Sequence, residues 1–257
     1  MSQFDLYAAY YDLLYQDKDY ATEVDYIERL IKKHNGKEQS TILELGSGTG
    51  GHAFHLAEHN WQVTGIDLSP KMVDSANKHK DSVSEVIKKR LNFETGDART
   101  YRSNIKFDVI VSLFHVMSYQ VSNEDLISAF TATRSNLIKD GLFIFDFWYG
   151  PGVLTDRPKN VNKVVENDKI IVDRKTQSLM MINENCVDVG FDIEIKAKKS
   201  GDKHKVTEHH MMRYWFLPEL QHHLSNAGIK LLGAYQWMTL DPMTDDTWYG
   251  CMVGQAV

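Results

Sequence analysis

The sequence predicts an α/β fold: a mostly parallel sheet covered by helices, with an antiparallel β insertion after the fifth strand. Three observations carry this. Short apolar runs alternate with helical patterns between Thr41 and Phe147, the rhythm of βαβ units. A glycine-rich turn, Gly46-Ser47-Gly48-Thr49-Gly50-Gly51, follows the first of these runs directly, where an α/β sheet binds its ligand. Between 155 and 215 the helical pattern gives way to β-type runs.

The elements follow in order. Leu6, Tyr10, Leu13 and Leu14 recur at helical spacing in a segment that also holds Tyr7, Tyr11, Tyr15 and Tyr20. A helix is expected from Ala21 to His34, stopped at Asn35-Gly36. Thr41 to Leu45 is the first strand, His52 to His59 a helix and Gln62 to Asp67 the second strand. Ser69 as N-cap and Pro70 at the first helical position start a helix running to Lys80. Strands are expected at Asn92 to Gly96, Phe107 to Phe114 and Leu142 to Phe147, with a helix over Asn123 to Leu137 that stops near Asp140-Gly141. The insertion holds β-type runs at 162–166, 169–175, 180–189, 191–197 and 206–216, with Ser200-Gly201-Asp202 as a hairpin turn. A helix from Pro218 to Ala227 and strands at Ile229 to Met238 and Thr247 to Ala256 complete the chain. The domain reading is therefore a sheet domain of 1–154 and 216–257, interrupted by an antiparallel insertion of 155–215 that could cover a substrate or form a homodimer contact.

Composition narrows the function. With 257 residues, 42% hydrophobic and 25% charged, the chain can bury a sizeable core. A net charge of −6 gives no general attraction to nucleic acid. Cys186 and Cys251 form no motif, so neither a disulfide framework nor a cysteine zinc site is expected. The histidine groups His52/His55/His59, His209-His210 and His222-His223 lack a supporting carboxylate pattern, and no metal is expected. Met1 to Tyr10 lacks a signal-peptide pattern, and no apolar stretch reaches the ~20 residues of a membrane span. The expectation is a cytoplasmic protein with a small-molecule partner.

Gly46-x-Gly48-x-x-Gly51 satisfies the dinucleotide fingerprint, a weak signal by itself. Charge separates the ligands it could serve. A pyrophosphate favours a helix N-terminus and few carboxylates. A sulfonium and an ammonium favour carboxylates and aromatic faces. Here Glu44, Asp67 and Asp97 stand at three successive strand ends beside the glycines. Asp67 can accept both ribose hydroxyls, and Asp97 is placed to accept from an adenine amino group.

Glu44-Leu45-Gly46-Ser47-Gly48-Thr49-Gly50, Gly65-Ile66-Asp67-Leu68-Ser69-Pro70-Lys71-Met72, Gly96-Asp97-Ala98 and Phe107-Asp108-Val109-Ile110 resemble, in order and spacing, the four motifs of the class I S-adenosylmethionine (SAM)-dependent methyltransferases. The resemblance implies a Rossmann-like seven-stranded sheet whose last strand is antiparallel. It implies SAM as cofactor, with Gly46, Asp67, Asp97 and Ala98 lining its site and Leu113 near the adenosine. Glu44, Gly48, Leu68 and Met72, in the same motifs, are expected to contact the cofactor too. Tyr11 is expected to face the sulfonium.

A narrower resemblance concerns the substrate. Tyr10-Tyr11-Asp12-Leu13-Leu14-Tyr15, Lys18-Asp19-Tyr20, Ser112 to Tyr119 and the long insertion are similar to the nucleotide-linked amino-sugar N-methyltransferases. It implies a sugar amine as methyl acceptor and Tyr15 against the sugar. The Asn/Asp-Pro-Pro-Tyr signature of methyltransferases acting on nucleic-acid or protein amides is absent.

Methyl transfer needs an unprotonated amine, which invites a general base. His115, just past the fourth strand, is the candidate, with Tyr15 beside it. Tyr15 and Tyr119 could orient the acceptor, and Trp148 and Tyr149 could wall its pocket. Three alternatives stay open: an O-methyltransferase of small molecules or glycans, an NAD-dependent oxidoreductase, and a non-catalytic SAM-binding protein.

Overall fold

The protein is described by a computed structural model that covers residues 10, 11, 13–34 and 40–257. Leu6, Tyr7 and the Asn35-Gly36 stop lie outside the described residues. Tyr10, Tyr11, Leu13 and Leu14 are helical. Helix α1 (Tyr20–His34) buries Val24, Tyr26, Ile27, Leu30 and Ile31 and sets its charged residues outward.

Seven strands form the main sheet: β1 (Thr41–Leu45), β2 (Gln62–Asp67), β3 (Leu91–Thr95), β4 (Phe107–Ser112), β5 (Leu137–Trp148), β10 (Ile229–Gln236) and β11 (Tyr249–Ala256). Their order is β10-β11-β5-β4-β1-β2-β3. β11 runs antiparallel to both of its neighbours, β5 and β10; the other pairings are parallel. The motifs' implied antiparallel last strand is thus present. Alternation along the strands feeds two cores. Ile42, Val109, Val111, Leu142 and Ile144 join α1, α2 (Gly51–Glu58) and α3 (Pro70–Lys80) on one face. Leu43, Leu45, Phe143, Phe145 and Phe147 join α5 (Asn123–Asn136) and α7 (Leu217–Asn226) on the other. Both faces being covered explains the near-continuous apolar reading of these strands. The chain order reverses direction between β1 and β4, so the ligand crevice of this topology opens at their carboxyl ends.

The insertion is a separate antiparallel sheet of β6 (Val161–Glu166), β7 (Ile170–Met181), β8 (Cys186–Ala197) and β9 (Lys203–Arg213), in that order. Its inner face packs Ile170, Val172, Ile193 and Ile195 on Tyr10, Leu13 and Leu14. Its other end packs Val187, Val189 and Met212 on Val153, Trp148 and Trp248. The second sheet is therefore sealed to the N-terminal segment at one end and to the rim of the main sheet at the other.

Local departures from expectation have identifiable causes. Three runs expected at 169–175, 180–189 and 191–197 regroup into two long strands. Gly190 sits in mid-strand, paired with Gln177 and His209. The turn is instead made by Ile182–Glu184 and Asn185 at φ 55°, a residue that tolerates the left-handed region. Gly150-Pro151-Gly152 opens α6 (Gly150–Thr155), where proline fits the first turn. β5 starts at Leu137, which already pairs with Phe107. Asp140 at φ 63° bends the strand there rather than ending the helix. α4 (Glu85–Lys88) is a single turn that was not expected.

Candidate functional site

The glycine loop crosses the top of the sheet between β1 and α2. Gly46 and Ser47 donate their N–H groups to Ile66 O at 2.8 and 2.9 Å, tying the loop to β2. Gly46 has φ 74°, and a Cβ there would lie 2.4 Å from Val116 Cγ2. Only glycine lets the loop pass so close to the segment after β4. Gly48, at φ 56°, faces open space: a Cβ built there meets nothing within 4 Å. That open space leaves the loop's backbone bare where a nucleoside can approach it.

Asp67 closes β2 beside this gap. Its Oδ2 accepts from Gly48 N–H at 2.9 Å and its Oδ1 from Ser69 N–H at 2.8 Å. Each oxygen keeps lone-pair capacity for a ribose hydroxyl. Burial raises the Asp67 carboxyl above its usual range, against the two N–H bonds that lower it. Leu68 is 67% exposed beside it. Burial also pushes the Tyr11 hydroxyl up, and the nearby Tyr15, Tyr20, Tyr119 and Asp67 groups act in the same direction. Tyr11 therefore stands among the predicted cofactor and acceptor residues.

Other predicted cofactor residues sit differently. Both Asp97 oxygens are forked by the Arg99 guanidinium, at 3.0 and 3.1 Å from Nε and 2.7 Å from Nη2. Arg99 passes the charge to Asp125 at 2.7 Å. The Arg99 hydrogen bonds hold the Asp97 carboxyl below its usual range. Asp97, expected to accept from an adenine amino group, thus also holds a bidentate ion pair, the geometry in which arginine and carboxylate match best. Leu113 is buried in the core that holds α1 and α2, Met72 is buried, and Ala98 is half-buried against the opposite core.

Glu44 is 1% exposed and turns toward the helix after the loop. Its Oε1 lies 3.3 Å from His52 Nδ1, and its Oε2 is buried with no hydrogen-bond partner. His52 Nε2 lies 2.6 Å from Glu23 Oε2, and Glu23 pairs with Lys18. Burial lowers the His52 imidazole, but the two carboxylates outweigh it and the net direction is up. Lys18 Nζ stands 4.5 Å from the Phe114 ring centre and 5.1 Å from that of Tyr20. A line of alternating charge thus clamps the N-terminal segment onto the glycine loop. His55 and His59 go elsewhere, to Glu58 and Glu28, each at 3.0 Å.

After β4 the backbone takes two consecutive left-handed residues, Phe114 at φ 63° and His115 at φ 66°. Each costs roughly 1–3 kcal/mol at a non-glycine position, so the surroundings must hold them. Buried Asp146 does so: both its oxygens accept from His115 N–H, at 2.9 and 3.1 Å. His115 Nδ1 lies 2.7 Å from Asp146 Oδ2, a close approach in which the ring N–H is not aligned as a hydrogen bond. Tyr249 stacks on the imidazole at 4.5 Å and 14°. Trp148 is 6.4 Å away, and its Nε1 is buried with no partner among the described residues. Tyr15 meets Phe114 edge-on at 5.2 Å and Tyr11 at 4.8 Å. Tyr149 instead packs against the core that holds Phe147.

The second sheet supplies the facing wall. Arg174 lies 4.8 Å over Phe191 and 6.0 Å from the Tyr15 ring, and donates to Tyr15 Oη at 3.3 Å. No carboxylate pairs with it among the described residues, and its Nε is buried without a partner. His210 Nδ1 lies 2.8 Å from Tyr119 Oη.

The structure thus brings Tyr11, Tyr15, Glu44, Gly46, Gly48, Asp67, Leu68, His115, Tyr119 and Trp148 around one crevice. Leu113 and Tyr149 also pack in or against the two hydrophobic cores. Sequence reasoning missed Arg174, Phe191, Glu208, His210 and Tyr249. For the β9 pair a signal existed: Val206, Glu208, His210 and Met212 share one strand face, and two polar residues there interrupt an inward apolar stripe.

The fold and the crevice define an enzyme that holds a nucleoside cofactor on a carboxylate-rich glycine loop. Residues 42–141 match a family model described as a methyltransferase domain. The chain is 28% identical over 213 residues, 81% of its length and 86% of the relative's, to the dTDP-3-amino-3,4,6-trideoxy-alpha-D-glucopyranose N,N-dimethyltransferase of Streptomyces venezuelae. In fold it is similar to a SAM-dependent methyltransferase from Clostridium acetobutylicum, with TM-score 0.78, 20% identity and 98% of each chain covered. It is likewise similar to the sugar N-methyltransferase KedS8 from Streptoalloteichus, with TM-score 0.79, 21% identity, and 96% of this chain and 92% of that one covered. The chain carries a methyltransferase domain, on a fold shared with SAM-dependent methyltransferases. Among the described residues no helix is long and apolar enough to cross a membrane.

Proposed function

We propose that the protein methylates the amine of a nucleotide-linked amino sugar. The observation that carries this is Arg174, a cation without a carboxylate partner among the described residues, bracketed by Tyr15 and Phe191 and carrying a buried unpartnered Nε. An anionic acceptor such as a nucleoside diphosphate sugar would supply the missing partner, and arginine recognises phosphate oxygens well. The amino-sugar N-methyltransferase named among the relatives supports the same acceptor class.

SAM, when bound, supplies the methyl group as an activated sulfonium. Asp67 holds the ribose, Gly46 and Gly48 admit the nucleoside to the backbone, and Tyr11 faces the charged end. Tyr15 and Tyr119 orient the sugar, with Trp148 behind it. Because the leaving group becomes neutral, little charge needs stabilising, and orientation supplies most of the acceleration. The amine must attack through its lone pair. His115 accepts the proton of the incoming ammonium and so exposes that lone pair, with Asp146 fixing its backbone and lying beside Nδ1. The second sheet, roughly 155–215, acts as the acceptor's cover, and its outer face is available for a homodimer contact.

Mass spectrometry on a panel of nucleotide sugars tests the reading. Addition of methyl groups to an amino-sugar nucleotide supports it. Methylation of hydroxyl-only sugars, or none of the panel, sinks it.

A further inference from the structure

Four polar side chains line up beside the acceptor crevice, and the chemistry given to His115 and Asp146 does not use them. Tyr119 Oη lies 2.8 Å from His210 Nδ1. His210 Nε2 lies 3.3 Å from Glu208 Oε2. Tyr10 Oη donates to Glu208 Oε1 at 2.5 Å. The line joins three parts of the chain: the N-terminal segment, the turn after β4, and β9 of the second sheet.

We propose that Tyr119, His210 and Glu208 form a proton relay that opens on the acceptor pocket and carries away the proton released by methyl transfer. This rests on the amine-methylation reading above.

The direction of the relay follows from donor and acceptor capacity. Burial raises Glu208, but the hydrogen bonds from His210 and Tyr10, with Arg174 nearby, outweigh it and keep the carboxyl below its usual range. An ionised carboxylate only accepts. The hydrogen on neutral His210 therefore sits on Nε2, facing Glu208. Nδ1 is left bare and accepts from the Tyr119 hydroxyl. Tyr119 ends the turn that begins at His115, and its partner His210 packs on Phe191, beside the Arg174 that donates to Tyr15.

The step balances. The methylated ammonium's N–H bond breaks as its proton joins the Tyr119 oxygen. The hydroxyl's own proton moves to His210 Nδ1. One positive charge passes from the product nitrogen to an imidazolium held by Glu208. Tyr119 is 45% exposed, and the His210 side chain is 27% exposed, so the proton can leave to water. The groups facing His210 are Tyr119 from the turn, Glu208 on its own strand, Tyr10 from the N-terminal segment, and Arg174 from β7 across Phe191, whose ring lies 5.1 Å from the imidazole. His209 points to the other face, toward Asp188.

The position matters as much as the bonds. His115 and Asp146 belong to the main sheet. The relay starts at Tyr119, on the turn after β4, and leads to the facing sheet, which carries the proton away from the wall that holds His115.

Two measurements test this. The first is the pH profile of kcat and kcat/KM for wild type, Tyr119→Phe, His210→Gln, Glu208→Gln and Glu208→Asp. His210→Gln and Tyr119→Phe should lower kcat by about 10- to 100-fold and displace the acidic limb, with SAM affinity within about twofold for both and, for His210→Gln, acceptor KM within about twofold as well. Glu208→Asp should recover most of what Glu208→Gln loses. The second is the imidazole nitrogen NMR spectrum of His210 in wild type, which should show the Nε2–H tautomer whether or not an acceptor has been found. Active wild type with His210→Gln keeping its rate and pH profile overturns the relay alone, as does an Nδ1–H tautomer. Wild type inactive on every amine acceptor overturns the functional reading itself.

Discussion

The two walls of the crevice are built in opposite ways. The cofactor wall is made of backbone: glycines at φ 74° and 56°, and N–H groups held by Asp67. Its residues fall within a short stretch of chain, and its geometry is set by turns. The acceptor wall is made of side chains. Tyr15, Phe114, Arg174, Phe191 and His210 come from three distant segments and meet through rings and hydrogen bonds. A backbone site serves one ligand that never changes. A side-chain site can be altered residue by residue, which is how one fold accommodates many acceptors.

Breaking the cofactor wall should cost most. Gly46→Ala puts a Cβ in the left-handed region and against Val116, costing about 2–4 kcal/mol. Thermal denaturation should show Tm lower by roughly 10 °C and no further rise on adding SAM. Next comes Asp67→Ala, which should weaken SAM about 30- to 100-fold by calorimetry, the ~2–3 kcal/mol of charged hydrogen bonds. The acceptor KM should stay put; a comparable rise there would mean that the walls are not separable.

On the other wall, Arg174→Gln should raise KM for a nucleotide sugar about 10-fold while the SAM Kd is unchanged in titration. A neutral amino sugar should not notice the change, and equal losses for both acceptors would remove the phosphate role. The smallest effect concerns the clamp between the walls. His52 binds its proton more tightly folded than unfolded. Its contribution is therefore complete below the unfolded value of ~6.5 and fades as pH rises through the higher folded value. Glu23, lowered when folded, contributes above ~4.3 and fades toward acid. The clamp is strongest between those limits. His52→Gln should flatten the decline of Tm from pH 6.5 upward by a few degrees; an unchanged slope would remove His52 from the network.

Legibility followed the same division. Glu44, Gly46, Gly48 and Asp67 were readable because turn chemistry is local: a glycine that must take positive φ and an acid at a strand end announce themselves. Arg174 and His210 were not, because nothing within their own strands says that β7 and β9 fold back over residues 15 and 119. The same limit hid the turn at Asn185 and split one strand at Gly190, since a strand glycine and a turn glycine look alike in sequence. The fork of Asp97 with Arg99 and the turn of Glu44 toward His52 were not readable, because both depend on side-chain direction. Parity along β9 was the usable clue, and it needs the strand boundaries first.

β11 lies between β5 and β10, although it is the last strand of the sheet to be synthesised. Until Tyr249–Ala256 has emerged, β5 is an open edge with Phe143, Phe145 and Phe147 beside it. An apolar edge of this kind is a template for pairing with another nascent chain. The half-made protein is therefore the vulnerable species, and its yield in a cell should depend on chaperone supply during translation more than on the stability of the finished fold. His115 is also without its stacked Tyr249 over that interval, so the site is complete only when the sheet closes.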